Sequence, residues 1–147
     1  MVQENDAAER LCKLCRGANM DRGGVKEGKI ELTAAVDGLF WLDREKLMAI
    51  NSLEDIMIAT RHGDTAVKAG DKLCGTRVIP LVIEEEKLRS AEAAAGDVPI
   101  MAVLPYQVKT AGIVTTGSEV FKGLIKDTFT PVVEEKLRAF GIAVTEH

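Results

Sequence analysis

Apolar residues recur along this chain at two spacings, one typical of helices and one typical of strands. Near the beginning they occupy the i, i+3, i+4 and i+7 positions of one helical face: Ala8, Leu11, Cys12 and Cys15. We therefore predict a helix over about residues 6–16, with Asn5 as its N-cap and Gly17 just beyond its end. The glycine-rich stretch that follows, residues 17–28, is expected to be a connection.

From Lys29 onwards the spacing changes to two, which is the alternation of half-buried strands. It predicts a series of short strands, at residues 29–33, 39–42, 56–60, 65–67 and 72–79. Asp43 is the expected cap of a short helix within this series. The third and fourth strands are expected to pair around a turn at residues 61–64, and Trp41, the only tryptophan, is expected in the core.

Two further elements close this β-rich part of the chain. Residues 84–95 are rich in glutamate, lysine, leucine and alanine, the strongest helix formers, and Gly96 can end that helix. Between Val98 and Leu104, an apolar segment with prolines at its edges is expected to be a strand that leaves the module. Residues 1–107 are therefore predicted to be a helix followed by a small β-rich module.

The last third of the chain follows another pattern. Residues 112–115 form a short apolar run, as expected of a parallel strand covered on both faces. A helix is predicted over about residues 129–140, with Pro131 in its first turn, and residues 142–144 begin a second strand. This order predicts the first βαβ unit of a doubly wound α/β domain over residues 108–147, and an α+β fold class for the whole chain. Because a parallel sheet needs more than two strands, we expect a fragment of a larger protein, or else completion by another subunit.

Charge and cysteine content narrow the classes of function. A net charge of -4 provides no basic field for a nucleic-acid backbone, so no nucleic-acid partner is expected. No apolar run approaches the length of a membrane span, so we expect a cytoplasmic protein with no membrane partner. Cys12 and Cys15 form a C-x-x-C motif, but both lie on the apolar face of the predicted helix. We interpret them as core residues, with a functional thiol pair as the alternative.

The segment from Thr115 to Asp127 carries the clearest resemblance to a known family. It reads T-T-G-S-E-V-F-K-G-L-I-K-D and resembles the start of the molybdenum-cofactor-biosynthesis domain. Molybdopterin adenylyltransferases, molybdopterin molybdenumtransferases, gephyrin and the competence-damage-inducible proteins share that domain. The positions that fit the family pattern are Gly117, Glu119, Gly123, Ile125, Asp127 and Gly141. Upstream, residues 26–40, 56–60 and 75–80 are similar to the region before this domain in bacterial molybdopterin-binding proteins.

Two parts of the family pattern are missing from the sequence. One is the segment that usually precedes the first helix, and the other is the G-G-x-S/T-x-G loop with the aspartate after it, which completes the family's site. The middle module is also similar to the hybrid β-sandwich of lipoyl and biotinyl carriers. Its candidate hairpin tip, residues 61–64, contains no lysine, so this likeness implies a barrel-sandwich-like shape and not carrier chemistry.

A loop between a covered strand and a helix presents backbone N–H groups that bind anions. In this chain Gly117 and Gly123 would let a phosphate approach that loop closely. The hydroxyls of Thr115, Thr116 and Ser118 can donate hydrogen bonds to phosphate or pterin oxygens. The sequence therefore predicts a phosphate-binding loop with these five residues as ligands.

The resemblance implies other roles for two carboxylates in this segment. Glu119 and Asp127 are expected to accept N–H groups of the pterin or of the backbone, or to hold a hydrated Mg²⁺ ion, with Asp127 as the metal ligand. Each has an ordinary alternative, because Asp127 can cap the following helix and Glu119 can be a solvated loop residue. Lys122 and Lys126 would add positive charge, although ordinary surface lysines are the expected default.

Three functions are compatible with the sequence. The leading hypothesis is binding of molybdopterin, a small-molecule pterin phosphate, in molybdenum-cofactor biosynthesis or metabolism, with Mg²⁺ and ATP as further cofactors that the resemblance implies. The second is a non-enzymatic β domain that serves partner interaction or homo-oligomerisation, and the third is a binder of another phosphorylated ligand. Enzymatic activity is left open, because Ser118 has no histidine neighbour and the rest of the family's site is missing.

Overall fold

The computed structural model describes residues 1–116 and 129–146. The chain divides into two compact units, unit 1 (Met1–Pro105) and unit 2 (Tyr106–His147). The division falls close to the boundary expected from the sequence, between residues 107 and 108. The predicted ligands Gly117, Ser118, Glu119, Gly123 and Asp127 lie outside the described residues, as do Lys122 and Lys126.

Unit 1 contains helices and short strands in mixed order. Its helices are α1 (Glu4–Cys15), α2 (Arg44–Asn51) and α3 (Glu85–Ala95). Its strands are β1 (Val2–Gln3), β2 (Met20–Arg22), β3 (Lys29–Ala34), β4 (Gly38–Leu42), β5 (Ile56–Thr60), β6 (Thr65–Val67), β7 (Lys72–Val78), β8 (Val82–Ile83) and β9 (Met101–Pro105). The predicted helices and most of the predicted strands are therefore present. The stretch expected to be a connection contains the additional strand β2, which pairs with β3.

All strand pairs of unit 1 are antiparallel, and its strands form three separate sheets. One sheet has the order β2-β3-β7-β5 and another has the order β6-β4-β9, while β1 pairs with β8 alone. Helix α1 packs against β3, β7 and α3, and α2 packs against β5 and α3. Within the described residues the sheets do not close into a barrel. The architecture is mixed α+β.

Helix α1 buries the face that the apolar spacing predicts. Ala8, Leu11 and Cys15 are fully buried in it. The predicted cap is wrong, however, because the N-cap is Gln3 and the side-chain oxygen of Asn5 accepts a hydrogen bond from the Gly28 N–H at 3.1 Å. The chain enters the helix directly from β1, so Asn5 lies inside the first turn and holds a neighbouring loop.

Gly17 is required for a reason other than helix termination. A Cβ atom built on Gly17 would lie 1.8 Å from the backbone oxygen of Met101 in β9. Its neighbour Arg16 ends α1 in an extended conformation, with φ -72 and ψ 105. The glycine therefore permits close backbone contact between the end of α1 and β9.

The predicted pairing of β5 with β6 is also wrong. β5 pairs with β7, whereas β6 pairs with β4 in the other sheet. Between them, Asp64 has a φ of +58 and its N–H donates to the Phe40 oxygen at 2.7 Å. The turn at residues 61–64 therefore carries the chain from one sheet to the other.

The strand expected to leave the module is part of it, and the expectation is wrong. β9 pairs with β4 along its length, from Leu42 opposite Met101 to Gly38 opposite Pro105. Met101 and Val103 are fully buried. Its prolines do not interrupt the hydrogen bonds within the strand, since Pro99 precedes the strand and Pro105 is its last residue. In β4, Phe40 takes the core position, and Trp41, expected in the core, points outward.

Helix α2 begins and ends with side-chain hydrogen bonds. Asp43 is its N-cap as predicted, accepting from the Lys46 N–H at 3.2 Å. At the other end, the Asn51 amide bonds both backbone groups of Ile58 in β5. It accepts from the Ile58 N–H and donates to the Ile58 oxygen, each at 2.9 Å. Asn51 thus occupies the edge of the four-stranded sheet.

Unit 2 contains a parallel strand pair and a helix: β10 (Thr110–Gly112), α4 (Phe129–Ala139) and β11 (Ala143–Glu146). The strand β10 ends before Ile113 and Val114, and Val114 is 90% exposed. The expectation of a strand covered on both faces is therefore wrong for this unit. Gly141 follows α4 with a φ of +72, as predicted for a residue that ends a helix. None of the helices in residues 1–116 and 129–146 is long and apolar enough to cross a bilayer.

Candidate functional site

The C-x-x-C motif lies in the interior of unit 1. Cys12, Cys15 and Cys74 are all buried and unbridged. Burial raises the pKa of the Cys74 thiol to about 12 and raises that of Cys15 further. The pKa of Cys12 is also raised, again chiefly by burial. Because the thiolate is the reactive form, these cysteines are structural, as the helical spacing predicts. Over the described ranges, no group of three or more His, Cys, Asp or Glu side chains could hold a metal.

The predicted phosphate-binding loop begins at Thr115, with two residues between it and the end of β10 in unit 2. Its first two residues, Thr115 and Thr116, are described, and both are exposed. The proposed metal ligand Asp127 and the remaining predicted ligands lie in the stretch 117–128, outside the described residues. The described geometry of the site therefore consists of the contacts made by the residues on either side of this stretch, up to residue 116 and from residue 129 onwards.

The two strands of unit 2 run parallel, with α4 between them in sequence. Thr110 lies opposite Ala143 and Ala111 lies opposite Val144, with a register shift at Gly112. Two backbone hydrogen bonds extend the pairing at its ends. The Ala143 N–H donates to the Lys109 oxygen and the Ile113 N–H donates to the Glu146 oxygen, both at 2.8 Å. This order of strand, helix and parallel strand is that of a βαβ unit.

A hydroxyl pair joins the beginning of the loop to the beginning of the helix. The Oγ1 atoms of Thr115 and Thr130 are 3.1 Å apart, and either can be the donor. Thr130 is the second residue of α4 and is only 4% exposed, so its hydroxyl is fixed from within the unit. The chain after β10 therefore lies beside the first turn of α4.

A ring contact supports the other end of this helix. Tyr106 and Phe140 meet edge to face, with ring centroids 5.4 Å apart and an interplanar angle of 85°. Such pairs prefer this perpendicular arrangement and stabilise by about 0.5–1.5 kcal/mol beyond their area burial. The contact ties the segment before β10 to the end of α4. Both ends of the helix are thus attached to the chain on either side of β10.

The described part of this site can donate hydrogen bonds and has no negative charge of its own. The first residues of α4, 129–132, carry no carboxylate, and Thr116 is exposed. An anion beside the first turn of a helix gains from the helix dipole. Sequence reasoning missed Thr130, although a hydroxyl residue directly before Pro131 was a usable signal for the start of a helix.

No family model, curated protein or solved structure matches this chain in comparisons with known proteins. The resemblance to the molybdenum-cofactor-biosynthesis domain therefore rests on the residues quoted for it.

Proposed function

We propose that this chain binds molybdopterin through its phosphate group, as part of molybdenum-cofactor biosynthesis or metabolism. The observation that carries the proposal is the hydrogen bond between the Thr115 and Thr130 hydroxyls. It brings the chain after β10 to the first turn of α4 in a parallel βαβ unit. In open α/β sheets, phosphate groups bind where a strand's carboxyl end meets the following helix.

Unit 2, in this proposal, is the first part of a doubly wound α/β domain. Its exposed apolar side chains agree with that interpretation: Val114, Phe129, Val132 and Phe140. Apolar side chains of a parallel sheet and its helices are covered when further strands and helices pack on them. The proposal keeps the cytoplasmic localisation expected from the sequence, with which three unbridged cysteines agree.

Titration of the chain with molybdopterin, and separately with ATP and Mg²⁺, tests the proposal. Thr116→Val should weaken molybdopterin binding about tenfold to a hundredfold, since a hydrogen bond to a charged oxygen contributes about 1.5–3 kcal/mol. Thr145→Val is the matched control, because Thr145 is an exposed threonine of the same unit that lies in β11. That variant should bind as the unchanged chain does.

The same titration separates the competing functions. Binding of neither ligand would reject the proposal in favour of a β domain that serves partner interaction or self-association. Binding of ATP alone, if Thr116→Val abolishes it, would favour another phosphorylated ligand in unit 2. The proposed metal role has its own test: Asp127→Asn should remove any dependence of binding on Mg²⁺, and an unchanged dependence would reject Asp127 as the ligand.

A further inference from the structure

A groove of about 400 Å³ lies on the outer face of the four-stranded sheet in unit 1. Side chains of β3, β7 and β5 alternate between the core and this face. In one row, Glu31 lies opposite Gly75 and Gly75 lies opposite Ala59. Two of these three side chains are the smallest available, so the middle of the face is a depression.

The glycine in this row is not explained by the backbone. Gly75 lies within the central strand β7 and has no positive φ. A Cβ built on it would meet only the Lys29 Cε, at an ordinary 3.8 Å. A glycine inside a strand costs about 0.5–1 kcal/mol relative to alanine and often marks a site that a ligand approaches closely. The space above Gly75 is therefore a feature that the fold itself does not need.

Positive side chains surround this depression. Four of them line the groove: Lys29, Arg61, Lys72 and Arg77. Two carboxylates offset them in part. Glu31 lies 3.4 Å from Lys29 and 3.7 Å from Lys72, and Asp71 lies 3.5 Å from Arg61. Four positive and two negative groups leave a local charge of about +2, on a chain whose net charge is -4.

Neither of these two carboxylates forms an ion pair with Arg77. This arginine has no ion-pair partner among residues 1–116 and 129–146. Lys29 and Met57 flank it on the neighbouring strands, in the row next to Gly75. Met57 is 44% exposed and gives this side of the groove an apolar, adaptable surface. One end of the groove thus combines a free guanidinium and an ammonium group with an apolar surface.

We propose that the groove binds a phosphomonoester of a small, flat organic molecule. The phosphate lies at Arg77 and Lys29, and the organic part lies over Gly75 and Ala59 beside Met57. A phosphomonoester carries about -1.5 to -2 charges at neutral pH, which matches the local excess of positive charge. Arginine binds phosphate with two parallel hydrogen bonds. The volume is at the lower end of the range found for small-molecule sites, about 300–1,000 Å³.

AMP is the probe, because it joins a phosphomonoester to a flat ring. Calorimetric titration of the full chain at low salt should show AMP binding at least tenfold more tightly than adenosine or inorganic phosphate. Gly75→Val should weaken AMP binding about tenfold or more by filling the depression. The variant should fold, because valine favours strands and the added Cβ makes only an ordinary contact with the flexible end of Lys29.

Two arginine variants complete the test. Arg77→Met keeps the aliphatic part of the side chain and should weaken AMP binding about tenfold by removing the phosphate contact. Arg89→Met is the matched control, because Arg89 is an exposed arginine on α3 that pairs with Glu85 and does not line the groove. Its AMP affinity should equal that of the unchanged chain. The urea midpoint of each variant, followed by tryptophan fluorescence, verifies folding.

Several results would overturn this proposal. Absence of AMP binding would do so, as would a folded Gly75→Val variant that binds AMP as tightly as the unchanged chain. Inorganic phosphate binding as tightly as AMP would show attraction by surface charge alone. AMP binding that persists in Gly75→Val and is lost in Thr116→Val would place the nucleotide in unit 2. The first three of these results concern unit 1 and leave the molybdopterin proposal, which Thr116→Val tests in unit 2, unchanged.

Discussion

Asn51 stabilises the sheet edge that β5 presents, and its replacement by alanine gives a sharp prediction. The side chain bonds both the N–H and the oxygen of Ile58, at 2.9 Å each. A single hydrogen bond of this kind contributes about 0.5–1.5 kcal/mol to stability, so two contribute about 1–3 kcal/mol. Alanine recovers about 0.5 kcal/mol because it is a better helix former than asparagine. We expect Asn51→Ala to lower the free energy of unfolding of unit 1 by about 1–2 kcal/mol.

Urea unfolding followed by tryptophan fluorescence measures this change in unit 1 alone. Trp41 is the only tryptophan of the chain and lies in β4. For a unit of this size, a loss of 1–2 kcal/mol lowers the urea midpoint by roughly 0.5–1 M. It should also lower the melting temperature by roughly 5–10 °C.

Two control variants separate the hydrogen bonds from a general effect at this helix end. Ser52 follows Asn51, and its exposed hydroxyl donates to the Met48 oxygen. Ser52→Ala should lower the free energy of unfolding by less than about 0.5 kcal/mol. With its carboxyl ionised, Asn51→Asp keeps the acceptor for the Ile58 N–H but loses the donor to the Ile58 oxygen, so it should be less stable than the unchanged chain. A urea midpoint for Asn51→Ala equal to that of the unchanged chain would refute the reasoning.

Three further predictions follow from single contacts. Gly17→Ala should destabilise unit 1 by about 3 kcal/mol or more in the same urea assay, because its Cβ would lie 1.8 Å from a backbone oxygen of β9. Gly24→Ala is the control: a Cβ there has nothing within 4 Å and should change stability by less than about 0.5 kcal/mol. Burial raises the pKa of Cys74 from 9.0 to about 12, so the thiol's contribution to stability is complete below pH 9.0 and is lost as the pH rises towards 12. Alkaline unfolding in Cys74→Ala should begin at a higher pH, and equal curves would contradict this. The guanidinium of Arg10 lowers the pKa of Glu85 from 4.5, so the pair's contribution is present above pH 4.5 and disappears as the pH falls below it. Arg10→Met should therefore differ from the unchanged chain less at pH 3 than at pH 7, in thermal melts at both values.

The helices and most strands of unit 1 were predictable because their signals are local. The apolar spacing of α1 and the alternation of β3 depend only on residues a few positions apart. The cap at Asp43 is local as well, since its oxygen accepts from a residue three positions later. Strands β1, β2 and β8 were missed because each has only two or three residues, too few to show an alternation.

Strand partners and the roles of single residues were not predictable, because residues far away in sequence determine them. The apolar positions of β5 and β6 fit a hairpin, yet the two strands belong to different sheets. Asn5 is a residue type that often caps helices, but its side chain accepts a hydrogen bond from the Gly28 N–H. Gly17 leaves room for the backbone oxygen of Met101. The outward position of Trp41 has the same origin, since Phe40 on the opposite face fills the core.

The candidate site was predictable in sequence order but not in its supporting contacts. Thr115 and Thr116 were chosen because they begin the loop after an apolar run, and they do follow β10. The contact with Thr130 joins residues fifteen positions apart, so no local pattern reveals it. The predicted cover over Ile113 and Val114 was inferred from their apolarity alone. Apolarity shows that a side chain benefits from burial, but not which part of a structure provides it.

The two phosphate proposals use different interactions, and salt dependence distinguishes them in a single chain. In unit 1, the phosphate would be held by Arg77 and Lys29 on an exposed sheet face, where ions screen the attraction. In unit 2, it would be held by the Thr116 hydroxyl and by the helix dipole at the first turn of α4, and dipoles respond less to added salt than charged groups do. Raising the salt concentration from about 0.01 to 0.15 M shortens the screening length from about 30 to 8 Å. AMP affinity should then fall severalfold while molybdopterin affinity changes little, and equal losses for the two ligands would mean that both bind through the same charged groups.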